Sequence, residues 1–215
     1  MRDTPIMLEK FGVVPVITMP GADDAEGLAD ALIEGDLPLA EITFRTDGAL
    51  EALKRMKAYR PSMLLGAGTI LTAKQAEEAI KAKADFIVSP AYDDEVVDYC
   101  LKAGVPVYPG CANPSEFARA YVKGLRKVKF FPAEALGGLP SLRAMAAPFP
   151  GMRFMPTGGI SLKNLGSYLS SPLVFACGGS FIAPRELIEK KDFDEIKERA
   201  HKARAAAISA RGGSL

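Results

Sequence analysis

Lys127-Val128-Lys129-Phe130-Phe131-Pro132-Ala133-Glu134 is a short apolar run that follows Gly124 and is stopped by Pro132. Its Val and Phe residues suit a pleated strand, and a proline cannot continue a hydrogen-bonded ladder. It lies between two helical patterns. One spans 114–123, after a capping Asn113 and before Gly124, and the other runs around 141–147. A strand set between helices is one unit of a parallel sheet. Side chains alternate along a strand, so Val128 and Phe130 share one face and Lys127, Lys129 and Phe131 share the other. A buried ammonium is costly unless it is paired or neutral. A neutral amine in such a place is a nucleophile toward carbonyls, the start of Schiff-base chemistry. The competing reading of Lys129 is a side chain at a strand end that reaches solvent or a carboxylate.

The same alternation extends in both directions. Upstream, the patterns predict strands over 13–19, 39–45, 64–70, 85–90 and 106–110. Helices are predicted between them, over 23–34 before Gly35, 48–60, 73–84 after the cap Thr72, and from Asp93 to Gly104. Downstream come strands over 153–156 and 173–177, a helix from the cap Ser161 to Leu169, and a last helix near 193–207. Residues 1–10 form a short amphipathic helix covering one end, and the tail 209–215 is expected to fray. Eight strand–helix units, spaced about 20–25 residues apart, imply an α/β fold of the closed (β/α)8 TIM barrel type. An open doubly wound sheet would carry GxGxxG after its first strand, and Met19-Pro20-Gly21-Ala22-Asp23 does not.

Composition narrows the classes. The 215 residues are 48% hydrophobic, enough for one sizeable core and one domain spanning 1–215. The net charge of +1, with both signs interspersed, gives no footprint for nucleic acid or for an acidic membrane. No apolar run is long enough for a membrane span, and Met1 to Lys10 lacks the apolar core of a signal peptide. Cys100, Cys111 and Cys177 are odd in number and widely spaced, fitting neither a disulfide framework nor a CxxC metal site. These features predict a cytoplasmic, reduced protein. The single histidine, His201, sits in a charged helical run and reads as solvated. Histidine-rich zinc chemistry and a His-activated nucleophile are therefore not available.

In a (β/α)8 barrel the chemistry lies at the C-terminal ends of the strands. Glu41, Thr43 and Arg45 share one face of the second strand, which such a strand normally keeps apolar. That face is predicted to point inward with Lys129. Glu41 suits proton transfer, and Arg45 offers a planar fork for a carboxylate. The competing reading is a structural ion pair filling the barrel. Thr69, after Gly66-Ala67-Gly68, adds a hydroxyl or merely enters a helix, while Pro90 and Phe131 read as pocket walls. Thr157-Gly158-Gly159 follows the seventh strand and Gly178-Gly179-Ser180 ends the eighth. Glycine turns at these two loops expose backbone N–H groups and predict a phosphate site.

These motifs, taken in order, resemble the 2-keto-3-deoxy-6-phosphogluconate (KDPG) and 2-keto-4-hydroxyglutarate (KHG) aldolases. The resemblance runs from Val13-Val14-Pro15-Val16-Ile17 to about Ser180. It rests on Glu41-Ile42-Thr43-Phe44-Arg45-Thr46, Gly66-Ala67-Gly68-Thr69, Ser89-Pro90, Lys129-Phe130-Phe131-Pro132-Ala133-Glu134, Pro156-Thr157-Gly158-Gly159-Ile160 and Gly178-Gly179-Ser180. It implies a class I aldolase on a (β/α)8 barrel, a homotrimer that needs no metal or other cofactor. Lys129 matches the family's Schiff-base lysine, and Glu41 matches its general acid/base, acting with help from water. Arg45 and Thr69 match the groups that hold the pyruvate carboxylate. Thr157 matches a position that influences stereoselectivity at the aldehyde-derived carbon. Gly158, Gly159, Gly179 and Ser180 match the phosphate loops. Ala91-Tyr92 and Cys111-Ala112-Asn113 depart from the family pattern and bear on fine substrate preference.

The expected reaction is reversible cleavage of KDPG to pyruvate and glyceraldehyde 3-phosphate, with KHG as a further substrate. The rival readings are an aldolase for the galactonate epimer, a phosphosugar isomerase or thiamine-type synthase, and a non-catalytic phosphosugar-binding barrel.

Overall fold

The computed structural model describes residues 4–212. Its elements are α1 (Thr4–Phe11), β1 (Val13–Ile17), α2 (Ala25–Glu34), β2 (Leu39–Thr43), α3 (Ala49–Tyr59), β3 (Leu64–Gly68) and α4 (Ala73–Lys81). They continue with β4 (Phe86–Val88), α5 (Asp94–Ala103), β5 (Val107–Tyr108), β6 (Gly110–Cys111), α6 (Pro114–Val122) and β7 (Lys127–Phe130). A 3-10 turn (Glu134–Leu136), α7 (Gly138–Ala146), β8 (Arg153–Pro156), α8 (Leu162–Leu169), β9 (Cys177–Gly179), α9 (Arg185–Glu189) and α10 (Phe193–Ala210) complete the chain. The fold is α/β, and every strand pair is parallel.

Capping side chains set where several helices begin. Thr72 accepts the Gln75 N–H at 3.2 Å, Asp93 accepts that of Val96 at 2.9 Å, and Asn113 accepts that of Glu116 at 3.1 Å. Each satisfies one of the orphan donors of a first helical turn, and Pro114 at the start of α6 has no N–H to orphan. Ser161 and Asn164 form a reciprocal capping box at α8. Gly104 ends α5 in the left-handed conformation, φ 68°.

The strands form two hydrogen-bonded sheets, ordered β5-β4-β3-β2-β1-β9 and β6-β7-β8. The predicted fifth strand, 106–110, is broken in two by Pro109, which has no N–H to donate to a ladder. Its carbonyl still accepts the Lys129 N–H at 3.0 Å, so β5 serves one sheet and β6 the other. The predicted eighth strand, 173–177, is also displaced: pairing begins at Cys177 and runs to Gly179. Upstream of it the Val174 N–H folds back to the Ser171 carbonyl at 3.0 Å, leaving one isolated bridge to Phe154. A second bridge joins Thr157 to Gly178.

The alternation predicted for the 127–131 stretch holds. Phe130 packs on the helix layer, its ring 6.5 Å from that of Phe117 in α6, while Lys129 faces the other way and is 3% exposed. α1 covers the strand ends opposite the candidate site. Glu9 takes an ion pair from Lys127 at 2.9 Å and another from Arg153, the first residues of β7 and β8. The predicted frayed tail is instead tied down in part. Ser209 and Ala210 belong to α10, and Arg211 donates to the carbonyls of Phe175 and Glu9. Residues 1–3 of the predicted first helix and 213–215 of that tail lie outside the described residues. α10 packs on both α2 and α8. Cys100, Cys111 and Cys177 are free and buried, and burial pushes the Cys100 thiol up to about 12. His201 is exposed on α10, and no helix among the described residues is long and apolar enough to cross a membrane.

Candidate active site

The register of the strands brings the two inward charges together. Glu41 stands opposite Val16 of β1 and Gly66 of β3, and Lys129 stands opposite Gly110 and Met155. Lys129 Nζ lies 3.8 Å from Glu41 Oε1 and 5.0 Å from the centre of the Phe131 ring. Glu41 is completely buried, and neither of its carboxylate oxygens has a hydrogen-bond partner among the described residues. At 3.8 Å the pair is an ion pair without a formed hydrogen bond. Leaving such a carboxylate unsatisfied is costly in a protein interior, so packing alone does not account for the arrangement. Gly68 makes room for it, since a Cβ there would lie 2.0 Å from Glu41 Oε1.

Arg45 departs from the sequence reading. β2 ends at Thr43, so Arg45 is not on the strand's inward face; it lies in the following turn, exposed at the cavity mouth. Thr43 is occupied locally, donating to the Ile17 carbonyl at 2.9 Å. Arg45 Nε nevertheless donates to Thr69 Oγ1 at 3.3 Å, which joins the two residues predicted to act together. Thr69 is held at φ 58°, a rare conformation for a β-branched residue. The bonds Phe44 N–H to Gly68 O, 2.8 Å, and Ile70 N–H to Val88 O, 3.2 Å, hold the chain on either side of it. Strain of this kind concentrates at ligand clamps.

A cavity of about 220 Å³ opens beside Phe131 and is lined by Arg45, Thr157, Gly158, Gly159, Gly178 and Ser180, with Val16 and Ile160 as apolar wall. Gly158 and Gly159 both take positive φ, 93° and 80°. Their conformation turns the loop so that the N–H groups of Gly159 and Ile160 have no acceptor among the described residues, and the same holds for Ser180 and Phe181. Four such N–H groups in two adjacent loops suit an anion. Arg45 is the one charged side chain among the residues named as its lining.

Not every predicted site residue reaches this cavity. Gly179 lies beneath it, against the Phe181 ring, and Gly178 takes its place in the wall. Lys129, Glu41, Thr69 and Pro90 are not among the cavity's lining residues either; the Pro90 carbonyl packs on Gly110, where a Cβ would come within 2.2 Å, next to the strand of Lys129. The sequence reading missed Val16, Ile160 and Gly178. Val16 carried a signal, because the first strand brings one side chain beside Glu41, while nothing in Gly178-Gly179 tells which glycine faces inward. Tyr92, in one of the divergent loops, is buried under Arg119, whose guanidinium lies 4.5 Å from the ring centre, and burial raises its phenol to about 12. Among the described residues no group of three His, Cys, Asp or Glu side chains is placed to hold a metal ion.

Known proteins are similar to this chain in sequence and in fold. The chain matches the family described as KDPG and KHG aldolase over residues 6–199. It is 47% identical to the 2-dehydro-3-deoxy-phosphogluconate aldolase of Treponema pallidum, over 88% of this chain and 90% of that one. Among solved structures it is similar to the KDPG aldolase of Legionella pneumophila, which holds pyruvate captured at low pH as a covalent carbinolamine intermediate. That match has a TM-score of 0.89 at 37% identity and covers 93% of this chain and 97% of that one. The KDPG aldolase of Zymomonas mobilis with 3-phosphoglycerate matches with a TM-score of 0.89 at 38% identity, over 95% and 96% of the two chains.

Proposed function

The chain belongs to the KDPG and KHG aldolase family, and from that premise we propose that Lys129 is the Schiff-base amine of a class I aldolase. The reaction is cleavage of 2-keto-3-deoxy-6-phosphogluconate to pyruvate and glyceraldehyde 3-phosphate. The observation that carries this reading is the buried Lys129–Glu41 pair, 3.8 Å apart, with a carboxylate that has no other partner among the described residues.

The Lys129 amine adds to the C2 ketone, giving a carbinolamine. Loss of water leaves a protonated imine, which is the electron sink. Through one water, Glu41 takes the proton of the C4 hydroxyl. The C3–C4 bond breaks, its electron pair passes to the imine, and glyceraldehyde 3-phosphate leaves. The resulting enamine takes the proton back at C3. Water then hydrolyses the imine, releasing pyruvate and restoring the amine. Arg45 and Thr69 hold the carboxylate of the ketoacid, so orientation supplies part of the rate. The phosphate seats on the N–H groups of the 158–160 and 179–181 turns. KHG carries the same ketoacid half, and its terminal carboxylate is an anion for the same N–H groups. Thr157, in the cavity wall, contacts the aldehyde-derived carbon and sets preference between C4 epimers.

The same reading closes the two sheets into one (β/α)8 barrel, a single domain over 1–215. The Pro109 carbonyl on Lys129, the bridges from Phe154 to Val174 and from Thr157 to Gly178, and the packing of α10 on both α2 and α8 support it. The assembly is the family's homotrimer, and the three buried free thiols fit a reducing cytoplasm.

The test is a cleavage assay in which released pyruvate is reduced by lactate dehydrogenase. KDPG turnover by the native chain, with Lys129→Ala at background, is the expected result. A folded Lys129→Ala variant at the native rate would contradict the assignment.

A further inference from the structure

The loop that follows Lys129 and the glycine turn of the cavity are bound to each other. Ala133 N–H donates to the Thr157 carbonyl at 2.8 Å and Glu134 N–H to that of Gly158 at 3.1 Å. The space a Cβ would need at Gly159 is filled by Glu134, with Cγ 2.5 Å away, and that at Gly158 is bounded by Pro132 Cα at 3.2 Å and the Phe131 ring at 3.3 Å. Glu134 therefore forms the floor beneath Gly159.

α8 grips the same turn from the other side. Asn164 Nδ2 donates to the Gly159 carbonyl at 3.0 Å, while its oxygen accepts the Ser161 N–H at 2.8 Å. Tyr168 lies one helical turn further on the same face. It is 3% exposed, and its hydroxyl donates to Glu134 Oε1. Gly138 leaves room for this bond, since a Cβ there would lie 3.0 Å from the Tyr168 oxygen and 3.1 Å from Glu134 Oε1. Burial, reinforced by the hydrogen bond to Glu134, pushes the phenol up, so the group remains a donor.

We propose that the Glu134–Tyr168 hydrogen bond is a positioning device that fixes the anion-binding turn at its distance from Lys129. This rests on the aldolase reading and deepens it. Glu134 is five residues beyond Lys129 on the same segment, so a shift of its side chain moves the turn relative to the amine. The pair touches neither the ketoacid half of the substrate nor the reacting atoms; it acts through the Gly158–Gly159 backbone. A loosened turn would weaken capture of the phosphorylated end and leave chemistry on pyruvate alone intact.

The experiment compares Tyr168→Phe, Glu134→Gln and Glu134→Ala with the native chain in two assays. One is steady-state cleavage of KDPG. The other is exchange of pyruvate methyl protons in D2O, which needs the Lys129 enamine and no phosphate. Loss of one charge-assisted hydrogen bond predicts that Tyr168→Phe raises KM for KDPG on the order of tenfold, with kcat within about twofold. Glu134→Ala should do the same, and Glu134→Gln, which keeps the acceptor, should restore most of the loss. Competitive inhibition by inorganic phosphate should weaken in parallel, while pyruvate exchange stays at the native rate. Equal losses in cleavage and exchange, or no change in KM, would overturn the proposal. Absence of exchange in the native chain would instead remove the aldolase reading on which it rests.

Discussion

Glu41 and Lys129 face each other across the strands at 3.8 Å, and the carboxylate is completely buried with no hydrogen bond to either oxygen among the described residues. Glu41→Gln keeps the shape and removes the base. It should lower KDPG cleavage by about 10²–10⁴-fold, the usual contribution of a positioned general base. Breaking a buried pair from one side costs about 3–5 kcal/mol because the other charge is stranded. Lys129→Met should therefore lower the urea midpoint, and Lys129→Met combined with Glu41→Gln should recover much of that loss. Additive losses in the double variant would mean that the two groups do not interact.

Gly68 is the residue that admits the Glu41 carboxylate. A Cβ at that position meets Oε1 at 2.0 Å, Cδ at 2.6 Å and Cγ at 2.6 Å. Gly68→Ala must displace Glu41 from its place beside Lys129. We expect kcat to fall at least about tenfold, as misplacement of a catalytic group by an ångström does, with a native circular dichroism spectrum. Native kcat in Gly68→Ala would show that the position of Glu41 is not critical.

Thr69 sits in strained backbone just after β3. Its φ of 58° costs a non-glycine residue about 1–2 kcal/mol. Thr69→Gly removes that strain and the hydroxyl that accepts from Arg45. The variant should be at least as stable as the native chain by urea unfolding, with a raised KM for pyruvate in the exchange assay. A large drop in stability with unchanged KM would place Thr69 among the structural residues.

Glu9 ties α1 to the opposite end of the strands. Burial alone would raise its carboxyl, but the hydrogen bonds from Arg153 and Lys127 outweigh it and hold the group below its ordinary value of 4.5. A depressed folded-state value adds stability that is present above the unfolded value and lost as pH falls through the folded one. Glu9→Gln should therefore unfold at a lower temperature than the native chain at pH 7, and the gap between the two melting temperatures should shrink as pH falls below 4.5 and through the depressed folded-state value. A gap that stays constant as the pH falls would point to packing rather than charge.

What the sequence made legible was set by local chemistry. Thr72, Asp93, Asn113 and Ser161 announced their helices because a capping side chain acts within three residues. Lys129 was placed on the inward face because strand alternation is a property of the backbone alone. Arg45 was misplaced because extending the same alternation past Thr43 assumes that the strand continues, and the end of a strand depends on its neighbours. Pro109 could have revealed the break in the fifth strand, since proline has no N–H to give. The displacement of the eighth strand could not be seen. Leu173-Val174-Phe175 is as β-like as any run in the chain, and a return bond to Ser171 decides against it. α9 was missed because five residues between Pro184 and Lys190 carry too little periodicity to read.

The most direct test of the account is borohydride reduction in the presence of pyruvate, followed by intact mass and peptide mapping. One reduced pyruvate adduct per chain is expected, on the peptide that contains Lys129 and absent from Lys129→Ala. A folded native chain that gives no adduct over a range of pH, or an adduct on another lysine, would contradict it.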